Sequence, residues 1–413
     1  MRILGAVLAS ACAFGVFAGS AQGASGVQFG IQDDAWLEFG PGRLSERVAK
    51  LDRLGLDVVR VTLNWYRAEP REGDYRWRRS DRLLRALRAG GLQPVVTLWG
   101  TPAWANGGGG PNIAPIRGKD FERFASDAAL RYPFVSKWVM WNEPNKPTWL
   151  NPVSARTYVA RILNPGYRGI KAVNPRARVA GGVTGPRAGK GGVSPVDFIR
   201  AMDGAGARLD AYAHHPYPVF PGDTPFEGGC DCKTLTMASL ERLVQFVGEA
   251  FPNARIWLTE YAYQTNPPDV FGVSRNDQAR FIAEAARRVR QAPKVDMLIH
   301  YLYRDEPELA RWQSGLETVD GKEKPSLAAT MLPFTQVERR GTRTTVWGQV
   351  RPGDGPQRYV LQRWTGGRWL AVGRRALTNR RGYLSRVVVA SRGTQLRLWY
   401  PARRMSSPTL VVR

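Results

Sequence analysis

Eight short apolar runs recur along the first three quarters of the chain, at 27–32, 57–63, 93–99, 136–141, 177–183, 209–214, 255–259 and 296–301. Between them lie stretches whose apolar residues return every three to four positions, at 43–54, 79–89, 119–131, 154–173, 194–203, 236–250, 275–290 and 325–332. The first pattern suits strands buried on both faces, and the second suits helices with one apolar side. Eight such units in series predict an α/β fold, a closed (β/α)8 TIM barrel, because closure leaves no exposed sheet edge. A doubly wound open sheet is the competing arrangement.

After Pro333 the period shortens. Thr344–Val350, Arg358–Trp364, Arg368–Val372 and Gln395–Tyr400 alternate polar and apolar positions and are separated by glycine-rich turns. They predict a small all-β sandwich at 336–413 behind a barrel at 24–335. Its Trp347, Trp364 and Trp369 are candidates for a sugar platform, with core or turn packing as the ordinary use of such rings.

The length of 413 residues fits one large barrel plus a small module, and 43% hydrophobic residues are enough for substantial cores. Residues 1–23 carry one arginine, a short apolar stretch and small residues at Ala21–Gly23, the layout of a secretory signal peptide. A membrane anchor is the alternative, although the stretch is short for a bilayer span. The chain is therefore expected to be exported, with no transmembrane segment in the mature part. Removal of the leader takes Cys12 and leaves Cys230 and Cys232, for which a disulfide and two free thiols both stay open.

A net charge of +25, mostly arginine, favours anionic surroundings such as an acidic glycan or the cell envelope. No nucleic-acid module is recognisable, so specific nucleic-acid binding is not expected. Three histidines do not make a zinc site, and the glycine runs at 107–110 and 185–191 match neither a dinucleotide nor a phosphate loop. Neither a metal nor a cofactor is expected.

Polar and aromatic residues gather just beyond the strand ends, which in a parallel barrel emerge on one face. Two of them are glutamates that directly follow apolar runs: Glu143 in Trp141-Asn142-Glu143-Pro144-Asn145, and Glu260 in Leu258-Thr259-Glu260. A buried carboxylate is costly without partners or a role. Hydrolysis of a glycosidic bond uses two carboxyl groups facing one sugar. Candidate sugar contacts around them are Asp33, Trp65, Trp99, Trp104, His214, Tyr263, Tyr301, Tyr303 and Trp312.

The Trp-Asn-Glu-Pro-Asn motif after the fourth strand, with the second glutamate ending the seventh, resembles the retaining (β/α)8 glycoside hydrolases of clan A. The nearest resemblance is to family 39, with family 5 behind it, over roughly residues 27–333. That resemblance implies that Glu143 is the acid/base and Glu260 the nucleophile, with Asn142 on the sugar 2-hydroxyl. Arg60 resembles the clan's second-strand arginine, which keeps the nucleophile ionised. His215 matches the family's aromatic or histidine position, and Tyr217 is the other candidate for a bond to Glu260. The C-terminal segment resembles accessory immunoglobulin-like domains more weakly. The implied activity is a secreted retaining glycosidase acting on a glucose-, xylose- or arabinose-containing glycan; the alternative is a barrel that binds carbohydrate or the envelope without turnover. The asymmetry such a pair requires is one carboxylate held charged beside Arg60 and one carboxyl kept protonated in a drier place.

Overall fold

The computed structural model describes residues 26–230 and 232–413. The expected leader and Cys12 lie outside the described residues. Eight strands form the barrel: β1 (Gln28–Gln32), β2 (Val58–Asn64), β3 (Gln93–Trp99), β4 (Lys137–Met140), β5 (Arg178–Thr184), β6 (Ala211–His214), β7 (Arg255–Tyr261) and β8 (Val295–Tyr301). Each pairs in parallel with its neighbours, and β8 closes onto β1 with Ile31 opposite His300. Closure excludes the open doubly wound sheet.

The strand sequences read as apolar throughout because both faces are covered. Val58, Val95, Val139, Ala213 and Met297 fill the barrel interior, while Val59, Val96, Trp138 and Met140, one position away, pack outward among the helices. Period-two alternation thus splits one apolar run between two cores. The helices answer with one apolar side each. Arg78–Ala89 buries Leu84 and Leu87 and turns its arginines outward, each leucine contributing about 1.5–3 kcal/mol. Starts are set by caps: Ser194 accepts from the Asp197 amide ahead of Pro195–Gly204, and Ser274 accepts from the Asp277 amide ahead of Arg275–Gln291.

One irregularity bears on the site. Gly182 in β5 has φ +82°, and a Cβ there would lie 2.3 Å from the Tyr212 ring. The β5–β6 register shifts between Gly182 and Thr184, which turns the Thr184 hydroxyl onto the Tyr212 hydroxyl (2.8 Å) and His214 Nδ1 (2.9 Å).

Beyond the last barrel helix the chain builds two antiparallel sheets. One orders β14 (Tyr383–Val389), β10 (Arg343–Gln349) and β9 (Phe334–Arg340). The other orders β12 (Arg368–Ala371), β11 (Arg358–Thr365), β15 (Gln395–Tyr400) and β16 (Met405–Ser406), with β13 (Ala376–Leu377) on β11 and β17 (Leu410–Val411) on β15. This small β domain is held under the barrel by Arg351. The guanidinium lies 3.8 Å from the Phe29 ring centre and donates to the Thr330 carbonyl (2.7 Å) and Gln349 Oε1 (3.0 Å). Phe29 is near the start of β1, so the domain covers the end of the barrel opposite the strand C-termini.

Candidate active site

A cleft of about 920 Å³ opens over the C-terminal ends of the strands. Loops after seven of the eight strands contribute, from Asp34 after β1 to Trp312 after β8, and β3 contributes its last residue, Trp99. Both glutamates face into it and both are more than nine-tenths buried.

Glu143 reaches the cleft through a bent backbone. Trp141 (φ 78°) and Glu143 (φ 33°) occupy the left-handed region, which costs on the order of 1–3 kcal/mol for each such residue. Neighbouring bonds hold the bend. Trp141 Nε1 donates to the Trp149 carbonyl (2.7 Å), and Asn145 ties the loop to the one after β5, accepting from the Gly185 amide (2.9 Å) and donating to the Val193 carbonyl (3.0 Å). The strained turn aims the Glu143 carboxylate over the barrel axis instead of along the strand.

Glu260, on β7 itself, is gripped by Arg60 of β2. Arg60 is fully buried and uses its guanidinium as a hub: Nη1 donates to Glu260 Oε1 (2.5 Å) and Gln32 Oε1 (2.7 Å), Nη2 to Asn142 Oδ1 (2.8 Å), and Nε to Thr97 Oγ1 (2.9 Å). Tyr217 donates its hydroxyl to Glu260 Oε2 (3.0 Å). A buried ion pair repays its desolvation only when the remaining donors are also satisfied, and here four strands, β1, β2, β3 and β7, supply or receive those bonds together with the loop after β4.

His215 stands between the two carboxylates. Its Nδ1 is 3.1 Å from Glu143 Oε1 and 3.4 Å from Glu260 Oε2, and its Nε2 is 3.1 Å from Thr259 Oγ1. Lys146 Nζ approaches Glu143 Oε2 at 2.8 Å. Burial raises the Glu143 pKa, but the bond and charge of His215, followed by the charge and bond of Lys146, more than offset it and hold the group at about 2. Because Glu143 is ionised, the facing Nδ1 must carry the proton, since a bare ring nitrogen would set lone pair against lone pair. The expected asymmetry, with Glu143 protonated in a dry place, is therefore not present in this geometry: His215 first, and then Lys146, a residue sequence reasoning passed over, keep that carboxylate charged.

The other sequence-derived candidates divide by where their side chains go. Trp99, Tyr263, Tyr301 and Trp312 line the cleft; Tyr217 and Trp312 lie 4.9 Å apart, and Trp312 packs edge-on against Tyr301. Five do not face it. Asp33 caps the helix Asp34–Phe39 and accepts from the Trp36, Tyr303 and Arg304 amides. Trp65 is fully buried, stacking on Phe124 and donating to Glu69. Trp104 donates to the Glu69 carbonyl behind the cleft. Tyr303 stacks on Trp36 and donates to Glu317. His214 is in the barrel wall, bonded to Thr184 and the Leu235 carbonyl (2.9 Å), and burial pushes its pKa down to about 3. A position just past a strand end fixes the level of a side chain, not whether it turns toward the axis or under the helices.

Cleft residues beyond those candidates include Gln32, Asp34, Asn64, Tyr66, Lys146, Trp149 and Arg187. The spacing of Lys146 three residues after Glu143 was the available signal for that contact. Cys230 and Cys232 are joined in a disulfide, Cα atoms 5.2 Å apart, in the loop whose residues 217–221 also border the cleft. Among the described residues no cluster of three or more histidine, cysteine or acidic side chains is arranged to hold a metal ion, and no helix is long and apolar enough to cross a membrane.

No protein-family model matches the chain, and no curated protein matches it in sequence. Solved structures do share its fold. A family 39 glycoside hydrolase from the gut symbiont Bacteroides cellulosilyticus WH2 superposes with a TM-score of 0.63 at 20% identity, over 90% of this chain and 80% of that one. A glucosidase from Croceicoccus marinus gives 0.60 at 12% identity, over 90% and 94%. An exo-β-1,4-mannosidase from Opitutaceae bacterium strain TAV5 gives 0.52 at 18% identity, over 74% and 58%. The chain thus shares the (β/α)8 barrel fold of these solved structures.

Proposed function

We propose that this protein is a retaining glycoside hydrolase in which Glu260 is the nucleophile and Glu143 the acid/base. The observation that carries the reading is the shared His215 nitrogen. Contacts of 3.1 and 3.4 Å to one atom put the facing oxygens of the two carboxylates no more than about 6.5 Å apart. That suits a retaining pair, separated by about 5–5.5 Å, better than an inverting pair, which needs about 6.5–9.5 Å to admit a water.

Glu260 attacks the anomeric carbon as the glycosidic C–O bond breaks, and the leaving oxygen takes a proton from Glu143. Glu143 then draws a proton from water, whose oxygen attacks the same carbon and releases Glu260. Arg60 and Tyr217 hold Glu260 aimed, and Asn142, itself oriented by Arg60, faces the sugar 2-hydroxyl. Both oxygens of Glu143 are engaged, so it takes up a proton only when a sugar entering the cleft draws Lys146 off Oε2. Lys146 is the partner free to move, being part-exposed where His215 is fully buried.

Rings at the rim supply apolar faces for pyranose or furanose units. Phe39, Phe220 and Phe271 are all more than 60% exposed and all border the cleft, as do Tyr66 and Trp149. The substrate class in this reading is a polysaccharide or oligosaccharide containing glucose, xylose or arabinose, and the glucosidase that shares the fold favours glucose among them. The chain acts outside the cell after residues 1–23 are removed; a secreted product whose N-terminus is not near residue 24 contradicts that part. The activity itself is tested by mass spectrometry of products from a plant and microbial glycan panel, with wild type beside Glu260→Ala. Release by wild type alone is the expected result. A folded wild type that binds a glycan on the panel without cleaving it contradicts the reading.

A further inference from the structure

The β domain carries a charge that the barrel does not need. Residues 334–413 hold 17 arginines and no lysine against two acidic residues, a net +15 of the chain's +25. One of the two acids, Glu338, is taken by Arg340. Self-repulsion on this scale opposes folding of so small a unit.

The excess is organised. A groove of about 390 Å³ lies between the two sheets, bordered by β11, the β12–β13 link and β14. Four arginines line it, Arg363, Arg374, Arg375 and Arg386, and no acidic residue does. Arg374 and Arg375 are exposed and bond to no protein group among the described residues. Arg386 is oriented by the Tyr359 hydroxyl (2.9 Å), and Arg363 donates to the Val389 carbonyl while its own Nε is buried without a partner. Between the cations run Val372, Val387 and Val389, the last two more than half exposed on a sheet surface.

We propose that this groove binds an acidic polysaccharide, a chain of uronate-type sugars, and anchors the barrel to it. A guanidinium fork matches a carboxylate with two parallel bonds, and the valines meet the C–H faces of the sugar rings between successive carboxylates. Nucleic acid fits less well. Single strands are held by aromatic rings that stack on bases, and the only ring in the groove is Tyr359, which is buried with its hydroxyl committed to Arg386. The groove belongs to the domain under the barrel floor, so a bound polymer leaves the cleft open.

The test is binding of the full chain to immobilised polygalacturonate at about 150 mM salt, where exposed charges are screened beyond roughly 8 Å, with fully methyl-esterified polygalacturonate and duplex DNA alongside. Arg374→Gln with Arg375→Gln removes two groove charges that support no internal contact; the control, Arg380→Gln with Arg404→Gln, removes the same charge from exposed positions of the domain that do not line the groove. The inference expects tight binding to the free acid, little to the ester, at least a tenfold loss in the groove variant, less than threefold in the control, and unchanged melting temperatures. Equal losses in both variants would mean diffuse attraction and overturn the site. Tighter binding to DNA than to polygalacturonate, or no binding to the acid form, overturns the ligand. None of these readings depends on turnover, so the anchor stands or falls separately from the hydrolase.

Discussion

The cleft and the β domain handle charge in opposite ways. At the two glutamates, charges are paired at short range and largely buried: Arg60 with Glu260, Lys146 and His215 with Glu143. On the β domain they are many, mostly exposed and mostly without a carboxylate partner. A buried charge acts through short, oriented bonds and changes the reactivity of a single atom, whereas surface charges sum to a field that attracts a polymer and falls away with salt. One chain thus carries a chemical device and an electrostatic one at opposite ends of a barrel.

The largest effect is expected at Glu260. Replacing it with alanine should lower kcat by about 10⁴-fold or more while leaving polygalacturonate binding untouched. A small nucleophile such as azide, entering the space the side chain vacates, should restore turnover and give a product of opposite anomeric configuration. Steady-state kinetics with and without azide checks both.

Arg60→Met comes next. It leaves the Glu260 carboxylate without its cation and frees Asn142, Gln32 and Thr97 from their shared donor. Breaking a buried pair from one side costs about 3–5 kcal/mol. The expected outcome is a fall in melting temperature together with a loss of kcat/KM, read by thermal unfolding and kinetics. The matching groove variant, Arg374→Gln with Arg375→Gln, should move neither.

Lys146→Ala sharpens the electrostatic side. The Glu143 pKa is held at about 2 partly by this cation, so removing it raises that pKa. The proton needed on the acid is then retained to higher pH, and the alkaline limb of the kcat/KM profile should move upward. An unmoved limb would show that Lys146 does not govern the acid. The same depression links to stability. Because the folded pKa is below the ordinary 4.5, the contribution is fully present above pH 4.5 and lost as pH falls toward 2. Acid unfolding of Lys146→Ala should therefore be less steep over that window.

The smallest effect belongs to Asp33. Alanine there removes a helix cap and leaves two further amides unpaired, a cost of about 2–4 kcal/mol in stability. kcat should change little, because the side chain does not reach the cleft. Thermal unfolding measured beside kinetics separates the two.

Much of the fold was legible because barrel strands are buried on both faces and announce themselves as apolar runs; those expected at 93–99 and 296–301 fall on Gln93–Trp99 and Val295–Tyr301. The short helices Asp34–Phe39, Trp65–Ala68 and Ala103–Asn106 were not legible. They are one or two turns long, too short for periodicity to show, and are held by tertiary bonds such as the Asp33 cap. Within the cleft, Glu143 and Glu260 stood out as carboxylates directly after apolar strands. Trp65, Trp104 and Tyr303 did not separate from Trp99 and Trp312, because the same aromatic character suits a sugar face and a helix-packing layer. Lys146 was missed for the opposite reason: a lysine in a proline-rich loop reads as solvated, and only the left-handed turn at Glu143 brings the two together.

The configuration of the first-formed product decides whether Glu143 and Glu260 are set for double displacement. A proton NMR time course on a cleaved glycan from the panel follows the anomeric signals before mutarotation mixes them. Retention is predicted, with the product anomer matching the bond that was broken. Inversion would mean that water, not Glu260, attacks the anomeric carbon, and would contradict the account.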